Sequence, residues 1–310
     1  MATSKWDNTN IPNLEGKVTI ITGASSGLGK EAARVLAGKN AQVIMAVRNI
    51  DKTKQVAQEI QQEFPLAQLD IRKLDLSDLA AVKSFADGIL ADYTRLDILI
   101  NNAGVMFPPF TTTADGFELQ MGVNHFGHFA LTGYLFPLLQ QTKGARIVTV
   151  SSLAHRQGKI DFEDINWQNR SYNTTQAYGD SKLANLYFTY ELAERLKNVE
   201  QAPMVLAAHP GYTQTELQRH SLFWRIMNPI LAQGVQQGTL PSLRAAIDPH
   251  AQAGEFYAPA GFLEMKGHPV VVKSNIMSYN KGNAKKLWEL SEKLTGVQYP
   301  FQVSQATNYV

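Results

Sequence analysis

The amino-acid sequence predicts a single α/β domain built on one doubly wound, mainly parallel β-sheet with helices on both faces. Short β-branched runs alternate with helical stretches of ten or more residues from residue 17 to about residue 210. The runs are apolar almost throughout, as strands covered on both faces require. No repeat, low-complexity tract or linker divides the 310 residues. Right-handed crossovers then place the helices on either side of one sheet.

Residues 1–15 read as a polar extension. The first strand is KVTII (17–21), stopped by Thr22-Gly23, and residues 30–36 carry helical spacing with Gly38 as the stop. A strand at 42–47 precedes a Lys/Gln/Glu-rich helix at 52–64, and a strand at 68–74 precedes a helix at 79–93. LDILI is the next strand, followed by a long helix at about 117–139 and the strand ARIVTVSS. A helix at 177–196, the strand MVLAAHPG, a segment at 212–240 and a C-terminal helix and tail at 281–310 complete the chain.

Composition narrows the function. With 29 basic and 27 acidic residues spread along the chain, no basic cluster suits nucleic acid or a polybasic membrane anchor. The absence of cysteine excludes disulfides, thiolate zinc sites and cysteine nucleophiles. The N-terminus lacks a signal-peptide core, and no run approaches the roughly 18 apolar residues of a membrane span. A soluble, cytoplasmic protein acting on small molecules is expected. His125, His128 and His155 lack convincing metal spacing, so no metal is expected, and His125 and His128 read as packing residues.

Chemistry concentrates at the strand ends. In TGASSGLG, Gly23, Gly27 and Gly29 surround Ser25, Ser26 and Leu28 between the first strand and its helix. Such a loop turns tightly and lets backbone amides meet a pyrophosphate at the helix N-terminus; alone it could be only a tight turn, a reading its place between strand and helix disfavours. The second strand ends Ala46-Val47-Arg48, with no carboxylate to accept from ribose hydroxyls. Arg48 can pair with a 2′-phosphate, and Lys52 can add a charge or simply be a surface cation. NADP(H) is therefore favoured over NAD(H). Asp75-Leu76 could meet the adenine, and Asn102-Ala103-Gly104 would let the chain pass close to a ribose.

Tyr178 and Lys182 lie four apart, on one helix face. An ammonium near the phenol favours phenolate, which suits proton exchange with a carbonyl or alcohol oxygen. The pair also arises by chance, so it needs partners. Ser152, with Ser151 competing, sits at a strand's carboxyl end, where a hydroxyl can polarise a carbonyl. Asn124 interrupts an apolar helix and is either functional or a satisfied structural amide.

TGASSGLG, NNAG, Asn124, Ser152 and Tyr178/Lys182 in this order resemble the short-chain dehydrogenase/reductase family over roughly residues 15–275. The resemblance implies a Rossmann fold and a tetrad. In it Tyr178 is the acid/base and Ser152, preferred over Ser151 on the family pattern, orients the carbonyl. Lys182 holds the ribose and lowers the phenol's pKa, and Asn124 helps hold a relay water. It also implies that Pro210, Gly211, Thr213 and Thr215 meet the carboxamide, and that the protein is a homodimer or a monomer. VRNIDK, GFELQMGVNHFGHFALT, RIVTVSSLAH and YGDSKLANLYFTYEL are similar to the retinol dehydrogenase-like branch and to light-dependent protochlorophyllide reductase. The missing cysteines count against the latter.

The expected activity is thus reduction of a lipophilic aldehyde or ketone, or oxidation of the alcohol. A light-driven pigment reductase and a non-catalytic NADPH sensor are the alternatives. Residues 219–231 (RHSLFWRIMNPIL) fit a substrate lid, a packed helix or a peripheral membrane contact.

Overall fold

A computed structural model describes residues 5–213 and 233–301. Along the chain run β1 (Val18–Thr22), α1 (Gly27–Ala37), β2 (Gln42–Val47), α2 (Ile50–Glu63), β3 (Gln68–Lys73), α3 (Leu79–Asp92) and β4 (Ile98–Asn101). Then come α4 (Leu119–Met121), a π-helical turn (Gly122–Phe126), α5 (Gly127–Gln141), β5 (Arg146–Val150), α6 (Thr174–Arg195) and β6 (Met204–Ala208). After the undescribed stretch follow α7 (Val235–Ile247), β7 (Phe256–Pro259), β8 (Pro269–Val272) and α8 (Lys281–Thr295).

The eight strands lie in the order β3-β2-β1-β4-β5-β6-β7-β8. Every pairing is parallel except β7 with β8, so one antiparallel edge closes an otherwise parallel sheet. Successive residues of each strand feed opposite faces. Ile20, Ile44 and Leu99 join α3, α5 and α6 in one core, whereas Ile21, Val43 and Ile100 join α1, α2 and α7 in the other. Trp6, Ile11 and Leu14 of the N-terminal extension are buried in the second core. The extension is therefore part of the fold. α8 and the segment after it cover α5 and α6: Trp288 stacks on Phe188 and Tyr299 meets Phe129.

The chain reverses direction of travel across the sheet between β1 and β4. That topological switch opens a crevice at the carboxyl ends of the strands, where ligands of doubly wound sheets bind. β7, β8 and α7 are not legible in the sequence pattern, being short or lying beyond the clear alternation. The single long helix expected at 117–139 is also corrected. The amide of Gly127 reaches back to the carbonyl of Gly122, five residues away, and this wide turn separates α4 from α5. Such a turn redirects side chains that a regular helix would aim elsewhere.

Candidate active site

The glycine loop leaves β1 at Gly23, whose φ of 71° suits a residue without a Cβ, and Gly27 has φ 53°. At Gly29 a Cβ would stand 2.4 Å from the Gly23 carbonyl oxygen and 2.6 Å from Asn102 Nδ2, so only hydrogen fits. Ser26 precedes α1 without capping it through its side chain. The first amides of an eleven-residue helix are thereby left to a ligand at its positive end. This suits a dinucleotide's pyrophosphate. Ser25 and Leu28 lie half-buried in the same loop.

Thr22, at the end of β1, ties this loop to the turn after β4. Its hydroxyl oxygen accepts from the amides of Asn102 and Ala103, each at 2.9 Å, and its carbonyl accepts from Asn102 Nδ2 at 2.8 Å. His128 completes the knot. Its Nδ1 lies 3.1 Å from the Asn124 carbonyl, an acceptor only, so Nδ1 carries the proton. Nε2, 2.9 Å from Thr22 Oγ1, then accepts the hydroxyl proton. Burial, and the charge of Lys182, hold this imidazole down at about 4, so it is neutral at physiological pH. Gly104 follows in the same turn, with space so limited that a Cβ would stand 3.0 Å from Asn124 Oδ1.

Asn124 is fully buried in the π turn. Its Oδ1 accepts from the Val105 amide at 2.8 Å, and Nδ2 donates to the Val105 carbonyl at 3.0 Å and Ser181 Oγ at 2.9 Å. All the donors of this side chain are engaged, so it pins the chain beyond NNAG.

Tyr178 and Lys182 occupy one face of α6. The ammonium lies 5.6 Å from the centre of the Tyr178 ring and donates to the Val150 carbonyl at 3.3 Å. Burial pushes Lys182 down to about 8 and Tyr178 up to about 12, with the Ser152 side chain drawing the phenol the other way. In the protein alone, desolvation therefore outweighs the lowering of the phenol expected from the lysine. The rival serines part company here. Ser151 is buried and donates to the Lys182 carbonyl at 2.8 Å, whereas Ser152, half-buried, stands beside the phenol.

Arg48 is exposed just past β2, and Lys52 is exposed on α2 beside it. Asp75 lies past β3 and accepts from the Ser77 amide and hydroxyl; Leu76 is buried next to it. Past β6, Gly211 has φ 68°, and Thr213 donates to the Pro210 carbonyl at 2.7 Å. Sequence reasoning thus places its described site residues on one edge of the sheet, while Thr215 and residues 219–231 lie outside the described residues.

A groove of about 380 Å³ runs from this edge, lined by Phe107, Pro108, Pro109, Tyr172 and Thr174. Phe107 meets Tyr178 edge-on at 5.2 Å. A larger hollow, about 490 Å³ between Gly16, Arg72 and Arg95, opens at the amino edge and holds none of the groups above. No sequence signal marks Thr22, Phe107 or Tyr172 as site residues, because their roles come from contacts between distant segments.

The profile of one family, described as short chain dehydrogenase, matches residues 17–225. Human retinol dehydrogenase 12 is 42% identical over 295 residues, covering 94% of this chain and 90% of that protein. Human retinol dehydrogenase 13 is 38% identical, covering 93% and 87%. A crystal structure of an uncharacterised Mycobacterium paratuberculosis protein, 40% identical, superposes with a TM-score of 0.82 over 96% of this chain and all of the other. A Shigella flexneri short chain dehydrogenase complexed with NADP, 27% identical, covers 80% of this chain and 98% of its own with a TM-score of 0.65.

Proposed function

This chain belongs to the short chain dehydrogenase family, and on that premise we propose that it is an NADP(H)-dependent oxidoreductase reducing a lipophilic aldehyde or ketone. The observation that carries the reading is the convergence of Ser152, Tyr178 and Lys182 on the edge where α1 offers its uncapped N-terminus. Similarity to the retinol dehydrogenases and to an NADP-complexed relative supports substrate and cofactor.

The loop from Gly23 to Gly29 would hold the pyrophosphate, and Arg48, with Lys52 near it, would hold the 2′-phosphate. Asp75 and Leu76 would border the adenine, and Asn102 to Gly104 with Lys182 the riboses. Pro210, Gly211 and Thr213 would border the carboxamide. When bound, NADPH supplies the hydride that reduces the carbonyl carbon. The protein supplies the proton. Ser152 donates a hydrogen bond to the substrate oxygen and polarises the carbonyl. Tyr178 donates its proton to that oxygen as negative charge develops there. A phenol held at about 12 is protonated at neutral pH and so is set for reduction. Lys182, held at about 8, takes up or releases the compensating proton near neutrality. Proteins of this family often pair through the helices at Asn124 and Tyr178, and the coverage of α5 and α6 by α8 and Tyr299 supports a monomer here.

The test follows NADPH absorbance in the dark with a panel of aldehydes and ketones, including retinal, and Tyr178→Phe as control. The expected result is dark oxidation by the wild type that falls at least roughly a hundredfold in the variant. NADPH binding without dark turnover would overturn the proposal, in favour of a light-driven reductase if illumination with a porphyrin substrate gives activity and of a sensor if it does not.

A further inference from the structure

Phe107 has φ 57°. A bulky residue preceding a proline adopts this left-handed backbone only where its surroundings hold it there. The hold comes from Gln120, fully buried in α4 one turn ahead of Asn124. Its Oε1 accepts from the Phe107 amide at 3.0 Å, and its Nε2 donates to the Tyr172 hydroxyl and the Thr174 carbonyl, each at 2.9 Å. One side chain therefore fixes three of the residues that line the groove beside Tyr178.

The same bonds decide the groove's chemistry. The Tyr172 hydroxyl donates to buried Glu118 at 2.8 Å, and Thr174 Oγ1 donates to the Pro108 carbonyl at 2.9 Å. These polar tips are satisfied within the protein, so the rings of Phe107 and Tyr172 and the two prolines supply the apolar part of the groove's surface. Trp167 and Phe110 brace the Tyr172 ring at 5.4 and 5.1 Å. A groove walled by two held aromatic rings and two prolines accepts apolar chains and has little for short or strongly hydrated compounds to bind.

We infer that Gln120 is a positioning residue for specificity, holding Phe107 and Tyr172 so that the groove selects long, apolar carbonyl compounds over short ones. This deepens the proposed carbonyl reduction and rests on it. Gln120 touches no substrate. It acts through the backbone of Phe107 and the hydroxyl of Tyr172.

Gln120→Leu removes the hydrogen bonds at similar volume, and Phe107→Gly removes the ring while keeping the backbone conformation accessible. For each folded variant, kcat and KM are measured for retinal and for butanal, and NADPH affinity by nucleotide fluorescence. Retinol binding, read by quenching of tryptophan fluorescence, tests the groove without turnover. The expected result is a drop of roughly tenfold in the retinal-to-butanal ratio of kcat/KM, carried in KM, with NADPH affinity retained. An unchanged ratio, or a drop carried in kcat for both aldehydes, would overturn the role of Gln120. If the wild type reduces neither aldehyde, the proposed reaction fails, and retinol binding decides alone. Weaker binding in the variants upholds the groove's role, and equal or absent binding sinks it. Should Gln120→Leu not fold, Phe107→Gly carries the test.

Discussion

Acidification through the pH 6.5–4 window should unfold this protein, because it buries histidines that must stay neutral. Burial holds His125 at about 3, and His128 and His155 at about 4, against an ordinary 6.5. Each is committed to one tautomer by its partners. His125 Nε2 donates to Ser291 Oγ, whose own proton goes to the Leu287 carbonyl. His155 Nδ1 donates to the Ser152 carbonyl, while its Nε2 accepts the Asn275 amide. A histidine with a depressed folded pKa binds its proton more readily when unfolded. Its contribution is therefore complete above pH 6.5 and is lost as pH falls towards 4. At pH 5 each group would forfeit about 2 kcal/mol, and the three together about 6, comparable to the whole stability of a marginal domain. Glu118 and Asp180, raised by burial, work in the opposite sense and soften the decline at low pH. The assay is urea unfolding at half-unit steps from pH 7.5 to 4.5, followed by circular dichroism. Near pH 5 these three histidines should cost about 4 kcal/mol per pH unit, one proton each, and His209, also pushed down by burial, adds to the fall. In His128→Gln the slope should lessen by about 1.4 kcal/mol per pH unit. A flat profile between pH 7 and 5, or an unchanged slope in the variant, would refute the reasoning.

Three further outcomes are expected. Gly29→Ala places a methyl group against the Gly23 carbonyl and Asn102, neither of which can retreat, so NADPH affinity by fluorescence should drop at least roughly tenfold. Arg48→Glu replaces a charge-assisted phosphate contact with repulsion, so KM for NADPH should rise roughly 10- to 100-fold while KM for NADH changes far less. Trp288→Ala empties a buried site stacked on Phe188 and crossed by Arg195, so urea unfolding should show a loss of about 3–5 kcal/mol. By uncovering α6, that variant should also raise the solution mass above 34.3 kDa in light scattering.

Local pattern made the first six strands and their helices legible, because a strand buried on both faces must be apolar and a helix on its flank must be periodic. Residues 42–47 fall on β2 to the residue. Chain order also gave the glycine loop and the Tyr178–Lys182 pair, since a loop and one helical turn are local objects. The choice between Ser151 and Ser152 was different. Both follow the same strand, and only the packing of β5 on α6 engages the first with the Lys182 carbonyl. Asn124 was visible as an anomaly in an apolar helix, but the π turn that aims it at Val105 and Ser181 was not. Nor could the sequence set the burial that moves Tyr178 and Lys182 in opposite directions, because a pKa answers to the surroundings of the folded site. By itself the sequence determined the layered sheet and the inventory of chemical groups. The tertiary structure decided which atoms of that inventory are already engaged: Thr22, His128 and Gln120 bond across 13 to 106 positions of chain, separations that no local pattern encodes.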